Sequence, residues 1–200
     1  MLLMILGLVL FLGVHSLPIA SGVRVRIKDS IGDIPYRIVF SLVSLGGLIA
    51  IAEGFKAWKY QEGSAFLYIP PPALSHVALL LMLFSFIALA SMYGKSHIKK
   101  VLKHPMLVAI KIWALAHLLA NGDAASVTLF GAFLVWAVVD RISVKRRERA
   151  GMATPVSFEP RVRDDIIALA VGIIVYVLFV WKVHLWLIGV APVAMGGSPG

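Results

Sequence analysis

Residues 103–123 read KHPMLVAIKIWALAHLLANGD. From Pro105 to Ala120 the run is apolar enough to lie in lipid, yet it carries Lys111 and His117 and ends on Asn121-Gly122-Asp123. Proline suits a first helical turn, where its missing N–H costs nothing. Asn-Gly-Asp is a strong turn signal, and an aspartate just ahead of an apolar run can cap the helix that run forms. The stretch therefore predicts a helix over 105–121, a tight turn, and a second helix over 124–140 capped by Asp123, the two forming a helical hairpin. Polar groups placed in lipid are costly and mark candidate functional sites. His117 is the first such candidate.

The composition of the whole chain supports the lipid setting. Of 200 residues, 60% are hydrophobic and 14% charged, with a mean hydropathy of +0.92. About half apolar suffices for a soluble core, so the surplus needs a bilayer as solvent. A net charge of +9 could signal nucleic-acid binding, but the basic residues sit in short connectors between apolar runs, which is how membrane topology is encoded. Nucleic acid is not an expected partner; the lipid bilayer is. The chain has no cysteine, which excludes disulfides, iron–sulfur clusters and thiolate zinc sites. Any metal must be held by histidine, carboxylate or backbone.

A span takes about 20 mostly apolar residues. Six runs approach this: 2–20, 36–55, 73–93, 105–121, 124–140 and 165–187. The expectation is an all-α polytopic membrane bundle of about six transmembrane helices, a single integral membrane domain over residues 1–200. The first run has its positive charges (Arg24, Arg26, Lys28) after the apolar stretch, the mark of a retained span rather than of a cleaved signal. Basic residues alternate between connectors. Lys95, Lys99, Lys100 and Lys103 follow the third span, and a basic loop over 141–164 carries Arg141, Lys145, Arg146, Arg147, Arg149, Arg161 and Arg163. Both termini are thus expected on the non-cytoplasmic side of a bacterial inner membrane, with the 141–164 loop against anionic headgroups. On the opposite side, the loop KYQEGSAFLYIPPPALSH (59–76) reads as a stiff surface lid, with Tyr60, Phe66 and Tyr68 as interfacial aromatics ahead of three prolines.

Six histidines remain to be placed. His97 lies among lysines and reads as a solvated loop residue. His104 precedes Pro105 and suits capping or interfacial hydrogen bonding. His184 sits between Trp181 and Trp186, beside Lys182, and reads as part of an interfacial aromatic belt. His15, His76 and His117 fall inside apolar runs. A neutral imidazole there can hydrogen-bond across helices, or it can hold a cofactor. Three of them without a buried carboxylate point to the cofactor. HExxH is absent, which removes a zinc protease, and so are the clustered histidine spacings of a membrane di-iron site. Single histidines on different helices fit bis-imidazole ligation of a b-type haem. His117 lies about 18 Å along its helix from Pro105 at about 1.5 Å per residue, a depth that matches His76; His15 lies nearer the cytoplasm. Trp113 and Asn121 flank His117 on one helical face, where they can wall a pocket or simply pack. Lys111, round the helix, suits snorkelling to the interface.

The segments LGLVLFLGVHS, YIPPPALSHVALLLM, KHPMLVAIKIWALAHLLANGD and LFGAFLVWAVVDRIS together resemble the NnrU family of bacterial membrane proteins, over residues 1 to about 147. The resemblance implies a link with nitric oxide and nitrite metabolism in denitrification. The family is similar in turn to plant zeta-carotene isomerase, a membrane enzyme with a histidine-ligated b-type haem that isomerises a polyene double bond. Carried over, that enzyme's ligands fall on His15 and His117, while a cysteine implicated near its second ligand is replaced by Ala114. Depth pairs His117 with His76, and the resemblance pairs it with His15; His117 is common to both.

Four functions compete. The first is a haem-b protein of nitrogen-oxide metabolism, a sensor, electron-transfer partner or accessory to nitric oxide reductase machinery. The second is a haem-dependent isomerase of an apolar polyene, and the third a haem-free membrane scaffold with structural histidines. The fourth rests on KHPMLVAIKIW, which resembles the His-Pro element of membrane isoprenylcysteine methyltransferases, but the further polar residues those enzymes need are lacking.

Overall fold

Glycines at positions 7, 47 and 54 let two helices near the N-terminus touch backbone to backbone. In the computed structural model, which describes residues 1–61, 65–152 and 156–192, α1 (Leu2–His15) lies along α3 (Asp33–Lys59). A Cβ on Gly7 would come 2.6 Å from the Ile51 nitrogen, and one on Gly47 would come 2.9 Å from that of Phe11. A Cβ on Gly54 would overlap the backbone of Met4. Apolar attraction between helices is weak in lipid, so such close van der Waals approach is what holds two spans together. Met4 is fully buried in this seam, with Leu8 and Ile51 beside it.

The chain divides into two compact units. The first comprises residues 1–70 and 120–154. Besides α1 and α3 it holds α2 (Ser21–Ile31) and α7 (Ala124–Arg149). α2 buries none of its residues; Gly32, at φ 84°, turns the chain from it into α3, and Lys28 bridges the turn to Asp33 at 2.6 Å. Asp123 caps α7 as expected, its Oδ1 accepting from the Ser126 N–H at 2.9 Å.

The second unit comprises residues 71–119 and 155–200. It holds α4 (Ala73–Ala90), α5 (His97–Leu102), α6 (Pro105–Ala120), α8 (Val162–Leu178) and α9 (His184–Ile188). α4 packs on α8 through small residues, with Gly172 set against the backbone of Ile87 and Ala88 and Ala168 buried alongside. Ser85 on α4 donates to the Ala109 carbonyl of α6 at 2.9 Å. α5 is tied to the start of α8: the Lys95 N–H donates to Asp164 at 2.8 Å, and His97 Nδ1 lies 2.6 Å from Asp165 Oδ2. Between α8 and α9 one turn, Phe179–Val183, is a π-helix.

The chain is an all-α, polytopic membrane bundle, and the described residues contain no strand beyond an isolated bridge between Phe66 and Asp123. The expected count of six spans is corrected. Among the described residues four helices are long and apolar enough to cross a bilayer: Asp33–Lys59, Ala73–Tyr93, Ala124–Arg149 and Val162–Ile188. The runs 2–20 and 105–121 form shorter apolar helices, of 14 and 16 residues. At about 1.5 Å per residue they reach about 21 and 24 Å, short of a hydrocarbon core of about 30 Å. The basic stretch 141–164 is not all loop either, because α7 continues to Arg149. Arginine, lysine and glutamate are strong helix formers, and cations at a helix C-terminus complement its dipole. Polarity there had signalled a connector where it marks the wet end of a helix. Residues 153–155 of that stretch, and 62–64 of the aromatic loop, lie outside the described residues.

Candidate functional site

α6 places His117 in its last turn. The ring Nδ1 lies 2.9 Å from the Trp113 carbonyl one turn back. A carbonyl only accepts, so Nδ1 carries a proton, and in the neutral ring it is Nε2 that holds the lone pair. The Trp113 ring stands 5.3 Å from the imidazole, tilted by 52°, so Trp113 walls one side of it.

The neighbour within this unit that the sequence did not anticipate is His184. Its ring centre lies 6.4 Å from that of His117, with the two planes inclined by only 20°. Three local features hold it there. The π turn closes on His184, whose N–H donates to the Phe179 carbonyl five residues back. Gly189 ends α9 in the left-handed region (φ 81°), where a side chain would be strained, and its N–H donates to the Leu185 carbonyl at 2.8 Å. The chain beyond folds back so that the Val190 carbonyl accepts from His184 Nδ1 at 2.7 Å. In the neutral ring Nε2 of His184 is likewise the nitrogen with the lone pair. Both rings are half-buried.

His15 belongs to the first unit. Its Nδ1 donates to the Phe11 carbonyl at 2.7 Å, and the ring is boxed by aromatics: Phe11 stacked at 4.2 Å, Phe40 at 5.0 Å and Trp136 edge-on at 6.3 Å. Trp136 Nε1 donates to the hydroxyl of the adjacent Ser16 at 3.2 Å. His76 is exposed in the first turn of α4. Among the described residues no three histidine, cysteine, aspartate or glutamate side chains converge on one point. Within the second unit the structure brings His117 and His184 together.

Asn121 stands beyond the end of α6, and its amide is engaged elsewhere. Lys59 donates to Asn121 Oδ1 at 3.2 Å, to Asp123 Oδ2 at 3.1 Å and to the Ser126 hydroxyl at 3.0 Å. The Tyr68 hydroxyl donates to the Asn121 carbonyl at 2.8 Å. Gly122 completes the knot, since a Cβ there would run into the Tyr68 carbonyl. Burial pushes the Asp123 carboxyl up, but hydrogen bonds from the Ser126 amide and hydroxyl and from Lys59 outweigh it and hold the group below the usual carboxylate range. The cluster fastens the loop that precedes α4 onto the start of α7. The separation of Lys59 from Asp123, 64 residues apart, hid it from sequence reasoning.

The profile described as "NnrU protein" matches residues 3–192, almost the whole chain. The chain belongs to the NnrU family. The match reaches past the first three-quarters on which the resemblance rested and takes in α8, the π turn and His184 of this NnrU chain. No curated protein and no solved structure matches it.

Proposed function

We propose that this NnrU-family chain binds a b-type haem through His117 and serves nitric oxide and nitrite metabolism from the bacterial inner membrane. One observation carries the haem: the Nδ1–H of His117 is spent on a backbone carbonyl, leaving Nε2 as the nitrogen with a lone pair. Metal-binding histidines characteristically anchor their other ring nitrogen in this way, which fixes the tautomer and strengthens the ligand. The donor set fits the group as well, for neutral imidazole is a common haem ligand and an apolar helix bundle is the surrounding a macrocycle needs. When bound, the haem would supply a redox-active iron. The chain's part is to orient the His117 ring through the Trp113 carbonyl and to cover one side of it with the indole. The nitrogen-oxide role follows from family membership.

The test is the absorption spectrum of the full chain, purified in detergent from haem-replete cells. A Soret band with sharpened visible bands on reduction is expected, together with a spectral shift when nitric oxide is added to the reduced protein. His117→Ala should abolish or reshape the spectrum. A colourless preparation would overturn the haem assignment, and an unaltered His117→Ala spectrum would remove His117 from it.

A further inference from the structure

In the first unit a cavity of about 320 Å³ lies between α2 and the polar end of α7. At about 30 Å³ per water it has room for about ten non-hydrogen atoms, the size of a glycerol phosphate. Ser21, Arg24, Val25 and Lys28 line one wall, and their spacing puts them on a single face of α2. Arg147 of α7 and Pro18, just past α1, line the other side. Three of the lining side chains are thus cations, and among the described residues none is a carboxylate. Lys28 is paired with Asp33 at 2.6 Å, whereas Arg24 acts on that carboxylate only through its field. Arg147 is 21% exposed and donates to the Pro18 carbonyl. Its ion pair with Asp140 spans 3.8 Å, beyond hydrogen-bond reach, and its Nε is buried without a hydrogen-bond partner. A half-buried cation so loosely compensated is costly, and an anion beside it removes that cost.

We propose that Arg24, Lys28 and Arg147 form a binding site for a phosphate-bearing anion of headgroup size, supplied by an anionic phospholipid or by a soluble phosphate ester. The chemistry of the three side chains fits: a guanidinium grips phosphate oxygens with paired N–H groups, and an ammonium adds a point charge. Ser21 opens α2, so the positive end of that helix dipole lies at the same cavity. The depth fits as well. α1 stops at His15, and the apolar run of α7 stops at Val139, ahead of Asp140 and Arg141, so the cavity sits where apolar helices give way to charge, the level of lipid headgroups. The site shares no residue with the histidines of the second unit and stands independently of the haem.

The test follows thermal unfolding of the full chain in an uncharged detergent, at constant ionic strength, against dihexanoyl phosphatidylglycerol, dihexanoyl phosphatidylcholine and glycerol phosphate. A saturable rise in melting temperature is expected with phosphatidylglycerol, and little with phosphatidylcholine. Arg24 is exposed, so Arg24→Gln should keep the fold, which its melting temperature without ligand checks. It should raise the half-saturating concentration about tenfold, the loss expected for one charge-assisted hydrogen bond. Arg26→Gln removes the same charge from the opposite face of α2 and should leave that concentration unchanged. A response to phosphatidylglycerol alone assigns the site to a lipid headgroup; a response to glycerol phosphate as well, weakened in parallel by Arg24→Gln, assigns it to a phosphate ester of either source. The proposal is overturned if neither anion gives a saturable response, or if phosphatidylcholine responds equally. It is overturned too if Arg26→Gln weakens binding as much as Arg24→Gln, which is the behaviour of a diffuse basic surface.

Discussion

His15 and His117 make the same local bond and keep different company. Each donates Nδ1 to the carbonyl four residues back, at 2.7 and 2.9 Å. In the first unit, the His15 ring is then enclosed by Phe11, Phe40 and Trp136. In the second, the His117 ring has an indole on one side and another imidazole 6.4 Å away. The same backbone bond orients both rings, and their surroundings differ. What separates the two is the company of the ring: aromatic side chains around His15, an indole and a second imidazole beside His117.

The contrast can be broken from the packing side first. The aromatic box stands on the α1–α3 seam, so Gly47→Val should open it by driving a side chain into the backbone of Phe11. Overpacking at backbone contact is expected to cost upward of about 3 kcal/mol, seen as loss of the monodisperse peak in fluorescence-detected size-exclusion chromatography. A milder break is His15→Ala. Removing a ring from among three aromatics should cost roughly 2–3 kcal/mol, read as a lower melting temperature. If the box is only packing, His15→Phe should recover most of that loss, which it cannot do for a ligand.

A third prediction concerns the polar knot of the first unit, where charges are paired rather than rings. Asp123 is 5% exposed and is held below its ordinary pKa of 3.8. Because the folded state binds the proton less readily than the unfolded one, its contribution is fully present above the ordinary carboxylate value. It is lost as the pH falls from there through the lowered value. Asp123→Asn should flatten this acid limb of the melting-temperature profile. At neutral pH it should lower stability by on the order of 1–3 kcal/mol, since Lys59 loses its counter-charge. An acid limb unchanged in Asp123→Asn would show that other carboxylates govern it.

Much of this architecture was legible in the chain. Pro105 and Asp123 fixed the starts of α6 and α7 to the residue, because a proline at N1 and an aspartate at the N-cap act through local bonds alone. Apolar runs located the helices but overstated how many are long enough to cross, because hydropathy counts residues on either side of a helix end alike. Ser16-Leu17-Pro18, for example, extends the first apolar run, whereas α1 stops at His15. At the candidate site, His117 and its contact with Trp113 were visible from spacing on one helix. His184 was not. Its sequence neighbours are two tryptophans and a lysine, an interfacial signature, and its partner lies 67 positions away, a separation given by 184 minus 117. The single available clue was negative: nothing in FVWKVHLWLIG announces a π turn, since five-residue hydrogen bonding leaves no fixed side-chain pattern.

That turn also bears on how relatives of this chain are to be compared. A π turn is an α-helix carrying one residue too many, and the surplus is absorbed between Phe179 and Val183. Everything after it is rotated by about 100° relative to an uninterrupted helix. A family member that lacks the extra residue would need its histidine one column away to present it to the same neighbour, so an ungapped alignment would score the two as a mismatch. The count of residues before position 184, as much as the letter found there, decides which way the imidazole points.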